Sequence, residues 1–344
     1  MDSINLSLIL VVLIVAVFDF TNGFHDAADM VATAIASRAM KPAVAIALVT
    51  CFTFIAPFTI GLAVADTVGT FVNIKAASSF TGESVVIAAL LTAISYNLLT
   101  WFLGYPSSSS NSLAGGLVGA GLFAVGSAQI NWGYSALQAG ELQGVMKVIT
   151  GLLVSPILGF FVGFITMKII FKVFSRFTEK ITPLFVASQY FSVAWLGFSH
   201  GANDAQKGMA IIGMMLVADG INTEFTVPVW AIFWCATFIT LGTLFGGWRI
   251  IRTLGFGLFK VKITHSVANQ LGSALVNTLA TSIGAPTSTS QVVTATLLGN
   301  GAAEKPGHVK WRTAAGIVSG WWFNLPVSLL LGWFYCFIYT TVRG

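Results

Sequence analysis

Residues 20–29 read FTNGFHDAAD and residues 198–207 read FSHGANDAQK, two polar stretches set between apolar runs. At an offset of 178 they share Phe20/Phe198, Gly23/Gly201, Asp26/Asp204 and Ala27/Ala205, while Thr21/Ser199 match in chemistry. A carboxylate at such a depth is expensive, and ionisable residues inside a membrane are functional candidates by default. One copy alone reads equally well as a loop that holds an aspartate; recurrence turns it into a candidate site. The chemistry it offers is oxygen ligation of a hard cation such as Na⁺. Asp26, Asp204, Asn22, Asn97 and Asn277 are the residues that can supply those oxygens.

A second pair points to an anion. Residues 104–111, GYPSSSSN, align with 284–291, GAPTSTSQ, at an offset of 180. Gly104/Gly284 and Pro106/Pro286 are identical, and each proline is followed by four hydroxyl residues, Ser107–Ser110 and Thr287–Ser290. Asn97 and Asn277 each stand nine residues before their proline. LVGAG at 117–121 matches LLGNG at 297–301, and Pro156 and Pro326 fall inside the last long apolar run of each half. Breaking a helix inside a membrane frees N–H groups on one stub, which suit anions, and carbonyls on the other, which suit cations. A proline near the start of the second stub loses little by lacking its N–H. Carboxylates repel an anion, so a cation between them is required, and the resulting coupling is reciprocal.

Three further side chains have two readings each. Lys207 follows Asp204 by one helical turn, and its counterpart is Asp29. It can meet the anion as a point charge or pair with Asp29 across the duplication. His25 and His200 either titrate or fill space as hydrogen-bonded side chains.

Paired G-x-N-D and G-x-P-Ser/Thr motifs, in register over nearly the whole chain, resemble the inorganic phosphate transporter (PiT) family. The copy GANDAQKG fits the family pattern well. The first copy departs from it, with His25 where Asn is usual and Asp29 where Asn is common; Gln270 stands where the family tends to carry Glu. That last departure bears on ion number or coupling. The resemblance implies cation-coupled uptake of inorganic phosphate, driven in bacterial members by sodium or protons. On this reading Ser107, Ser108, Ser109, Thr287, Ser288, Thr289, Asn203 and Lys207 bind phosphate. Asp26, Asp204, Asn22, Asn97 and Asn277 bind Na⁺, with His25, Ser110, Ser290 and Gln270 as secondary candidates. Sodium is preferred over protons because oxygen ligands outnumber groups that titrate near neutral pH. A proton-coupled phosphate carrier, or a carrier of sulfate or another oxyanion, is the alternative. No cofactor is expected besides the coupling ion.

These residues need a membrane scaffold. Of 344 residues, 56% are hydrophobic and only 8% charged, against roughly 25% charged in a soluble domain. Long unbroken apolar runs indicate helices, not the short alternating strands of a barrel. The expected fold is an all-α membrane protein, a polytopic bundle of about 10–12 transmembrane segments built from two inverted repeats with broken or re-entrant helices. Helices broken at Asn22-Gly23 and at the second polar stretch, and a full span over 43–65, belong to that expectation. Cys51, Cys235 and Cys336 are scattered through apolar runs and read as packed hydrophobes, with no disulfide framework.

Residues 1–171 form the first repeat, 172–185 a basic cytoplasmic linker and 186–344 the second repeat. Lys and Arg mark cytoplasmic loops, and the loop carrying Arg38 and Lys41 has an acidic counterpart in Asp219 and Glu224. The next loop reverses: Asp66 and Glu83 outweigh Lys75, whereas Arg249, Arg252, Lys260 and Lys262 fill its counterpart. The repeats are therefore expected to be inverted, with the linker inside and both termini outside the cell or inner membrane. The N-terminus lacks a basic leader region, so the first apolar run reads as a retained span. Partners are the lipid bilayer, phosphate and Na⁺ or H⁺; a homodimer is compatible with this reading. The net charge of +5 sits in loops and is no nucleic-acid footprint. Two matching halves with broken helices meeting at one site favour alternating access over a channel. An intramembrane aspartyl protease would use two aspartates but not the repeated hydroxyl breaks, and no PAL-type segment follows Asp204.

Overall fold

The Gly-x-Pro segments stop one helix and start the next by the same chemistry in each half. The computed structural model describes residues 6–74, 77–174, 179–246 and 248–344. Gly104 ends α4 (Ser79–Leu103) with φ 76°; its N–H donates to Trp101 O, and the N–H of Tyr105 to Thr100 O, both at 3.0 Å. This is a Schellman cap, which needs a residue in the left-handed region. Ser108 then caps α5 (Ser109–Ala124), its hydroxyl accepting from the Asn111 N–H at 3.0 Å. In the second half Gly284 (φ 67°) follows α11 (Ile263–Ser282), and the Ser288 hydroxyl accepts from the Gln291 N–H at 3.3 Å to open α12 (Thr289–Glu304). Pro106 and Pro286 thus lie two residues before their caps, in the extended link, not in the first helical turn.

The other expected breaks are absent. α1 (Leu6–Ala36) runs through Asn22-Gly23, and α8 (Thr182–Ala218) runs through Gly201. Glycine serves close packing at both places. A Cβ on Gly23 would overlap the Ile239 carbonyl of α9 (Val229–Phe245); one on Gly201 would overlap the Thr53 carbonyl of α2 (Pro42–Ile55). Residues 43–65 are not one straight span. α2 continues into a 3-10 turn at Ala56–Phe58 and then bends by 74° into α3 (Ala63–Gly69). α6 (Tyr134–Gln138) is a short surface turn of helix. α9 meets α10 (Trp248–Gly257) at a bend of 62°.

α7 (Gly144–Phe174) and α13 (Trp311–Arg343) contain Pro156 and Pro326 inside continuous helix. Of the linker expected at 172–185, residues 175–178 lie outside the described residues, as does Lys75; the linker's ends are taken up by α7 and α8. Among the described residues, four helices (α1, α4, α7 and α13) are long and apolar enough to cross a membrane, or up to six spans if each bent pair counts as one. Their outer faces carry exposed Phe102, Phe161, Trp322, Phe323 and Leu330, as a lipid-facing surface should. The polar residues are inside.

The halves exchange helices. α1 packs along α9 and α8 along α2, while α7 packs on α12 and α13 on α5. The repeated glycines make this possible: a Cβ on Gly119 would overlap the Leu329 carbonyl of α13, and one on Gly299 the Phe160 carbonyl of α7.

Candidate functional site

α1 and α8 carry the two polar stretches to one buried cluster, because a helix places residues three, four and seven apart on one face. Asn22, His25, Asp26 and Asp29 of α1 and His200, Asp204 and Lys207 of α8 are all at most 2% exposed. Asp26 Oδ1 accepts from the Ser290 hydroxyl at 2.8 Å and lies 3.0 Å from His25 Nδ1. The same Ser290 hydroxyl contacts Asp29 Oδ2. One O–H therefore faces two carboxylates. Two carboxylates that share so few donors inside a protein are relieved either by a shared proton or by a positive charge beside them. His200 Nδ1 sits between the two motifs, 3.3 Å from Asp204 Oδ2 and 4.0 Å from Asp26 Oδ2.

Asp204 is fully engaged. Its Oδ2 accepts from Thr289 Oγ1 at 3.0 Å, and its Oδ1 accepts from Asn22 Nδ2 at 3.4 Å and from Lys207 Nζ. Lys207 also donates to the Thr287 carbonyl at 3.3 Å. Of its two readings, pairing with Asp29 is not what the structure shows: Lys207 bonds Asp204, three residues earlier on its own helix. Ser110 Oγ donates to the same Thr287 carbonyl at 2.5 Å, so the first break is tied to the second. Thr287 Oγ1 donates to Asn277 Oδ1 at 3.3 Å, and Asn277 Nδ2 to Thr289 Oγ1 at 3.4 Å. Ser107 lies 2.7 Å from Thr100 Oγ1 and 3.4 Å from His25 Nε2. Ser109 is buried in the first turn of α5.

Several candidates have structural work. Ser108 and Ser288 spend their hydroxyl oxygens as the caps described above. Asn203 bridges the second break: its Oδ1 accepts from the Thr287 N–H at 3.1 Å, and its Nδ2 donates to Thr281 Oγ1 at 2.9 Å and Ala285 O at 3.2 Å. Gln270 stands away from the cluster, contacting Gln189 and Ser192 and donating to Met30 O at 3.1 Å.

Other groups keep an open valence. The Asn97 amide, Asn22 Oδ1, Asp29 Oδ1 and His200 Nε2 are buried with no hydrogen-bond partner among the described residues. Each such orphan costs about 1–3 kcal/mol, and buried polar groups are otherwise almost always paired. Sequence reading missed Asp19, which is buried one turn before Asn22 and packs against Gly208 and near Cys235. It has no duplicate, since Gly197 stands at the matching position, although a carboxylate inside an apolar run is itself a signal. A cavity of about 680 Å³ between α7 and α13 is lined largely by Leu152, Ile157, Phe160 and Trp322; such walls cannot replace the hydration of phosphate.

A family model described as the phosphate transporter family matches residues 22–332. A Rhizobium meliloti (strain 1021) protein named "Probable low-affinity inorganic phosphate transporter" is 38% identical over 316 residues, covering 91% of each chain. A Bacillus subtilis (strain 168) protein of the same name is 37% identical over 334 residues, covering 96% of this chain and 97% of the other. Among solved structures, "The sodium-dependent phosphate transporter" superposes with a TM-score of 0.84 at 20% identity, covering 98% of this chain and 99% of that one; at that identity the likeness concerns the fold.

Proposed function

The chain belongs to the phosphate transporter family, and from that premise we propose that it is a sodium-coupled inorganic phosphate symporter working by alternating access. The observation that carries the coupling is the Ser290 hydroxyl shared by Asp26 and Asp29, two buried carboxylates whose charge a bound cation would offset. Sodium bound there would draw on Asp26, Asp29 and the open oxygen of Asn22. Phosphate would lie toward the α4–α5 and α11–α12 breaks, where freed amides, Ser107, Ser109 and Thr287 present donors, with the Asn97 amide at its edge. The cation offsets the carboxylates and the anion together, so neither ligand binds well alone. The structural relative named as sodium-dependent supports sodium over protons.

Radiolabelled phosphate uptake into proteoliposomes tests this directly. Uptake is expected to be driven by an inward sodium gradient and to show trans-stimulation by internal phosphate. Uptake driven by an inward proton gradient without sodium would transfer the coupling to His25 and His200, which flank Asp26.

The exchange of equivalent helices supports two repeats of opposite orientation, which is what alternating access about one site uses. Single cysteines beside Arg38 and Arg252 are expected to react only with a reagent on the cytoplasmic side, and one beside Asp219 only from outside. Labelling of positions 38 and 219 from one side would refute inversion.

A further inference from the structure

The two motifs match in sequence yet differ in charge. In the first, the residue one turn after the aspartate is Asp29; in the second it is Lys207. Around Asp26 and Asp29 the nearest hydroxyl, Ser290, must serve both carboxylates, and Asp29 Oδ1 is left without a partner. Around Asp204 the position is the reverse. Both oxygens are taken by donors, and one of those donors is an ammonium that is itself 1% exposed. The oxygens that hold that ammonium are a carboxylate and a backbone carbonyl at a helix break, the same ligand types that a sodium ion would choose. Even the helix-start serines follow the asymmetry. Ser290 donates to the carboxylates of α1, whereas its counterpart Ser110 turns to the Thr287 carbonyl, beside Lys207.

We propose that the Lys207 ammonium is a tethered cation that permanently occupies the second of two equivalent cation positions, leaving the Asp26–Asp29 pole as the exchangeable one. The inference rests on the sodium-coupled reading above and adds a stoichiometric consequence: the chain moves one cation fewer per cycle than a symmetric pair of sites would. A single carboxylate cannot hold an ammonium and a sodium ion at contact distance without strong repulsion between them. Removing the ammonium should therefore open the position. It leaves the Asp204 carboxylate and the Thr287 carbonyl to receive a free ion.

The test counts sodium. Equilibrium binding of ²²Na⁺ to purified, monodisperse protein with saturating phosphate is compared between wild type and Lys207→Met. The variant is expected to bind one more sodium ion per chain, and its phosphate binding to depend more steeply on sodium. The double variant Lys207→Met/Asp204→Asn is expected to lose the added ion. Lys207→Gln, which keeps a donor toward Thr287 O, gives the same comparison if the methionine variant does not insert. An unchanged sodium count in both lysine variants, with phosphate affinity alone reduced, would overturn the proposal and make Lys207 a phosphate contact. A wild type that binds no sodium would refute the sodium-coupled reading. If a lysine variant then bound one ion, the tethered-cation assignment would stand by itself.

Discussion

Asp26→Asn is expected to abolish sodium-driven phosphate uptake while the protein still inserts and folds. The substitution keeps the shape of the side chain and removes one charge from a cluster in which Asp26 and Asp29 share a single hydroxyl. Were Asp26 merely structural, losing a buried charge would be neutral or stabilising. As a cation ligand, it contributes about 4 kcal/mol to a contact ion at an effective dielectric near 20. That corresponds to roughly a thousandfold loss of sodium affinity. Sodium-titrated phosphate binding on the purified variant decides between the two, and a wild-type sodium dependence would exclude the ligand role.

Gly299→Ala and Gly119→Ala are expected to be among the most damaging single-methyl changes in the chain. A Cβ at either position would overlap a backbone carbonyl, Phe160 O or Leu329 O, on a helix of the other half. A flexible side chain could move aside, but a helix backbone cannot without separating α12 from α7 or α5 from α13. Overpacking typically costs about 1–3 kcal/mol, and the upper end is expected here. Gly316→Ala is the matched control, because open space surrounds that position on α13; it should be neutral or slightly stabilising through helix propensity. Thermal unfolding of the three variants in detergent measures the difference. Equal stability of Gly299→Ala and Gly316→Ala would contradict the packing account.

Much of the site was legible because the chemistry is written twice. Asp26, Asp204 and the hydroxyl runs stand out through duplication, and the structure brings them into one cluster. The Gly-x-Pro breaks were equally legible, since a left-handed cap followed by proline has few other uses. The breaks expected in α1 and α8 were not there because glycine has two meanings. It interrupts a helix, or it lets a neighbour's backbone come close, and Gly23 and Gly201 do the second. Which hydroxyls cap helices and which face the cluster could not be read either. Ser107, Ser108, Ser109 and Ser110 are adjacent in sequence, and only the geometry of the turn directs Ser108 to a backbone N–H and Ser110 to Thr287. Asp19 escaped notice for want of a partner in the second half.

The exchange of helices between the halves bears on how the protein is made. α5 leaves the ribosome early, yet the surface cut into it by Gly119 is filled by α13, a helix of the second half. α1 likewise waits for α9 and α2 for α8, while α7 stays uncovered on one side until α12 arrives. The first half therefore spends most of translation in the bilayer with its small-residue grooves open to lipid. Completion of the first half is a late event that depends on helices of the second. A ribosome that stalls before α13 leaves α5 with nothing to close against on its Gly119 face.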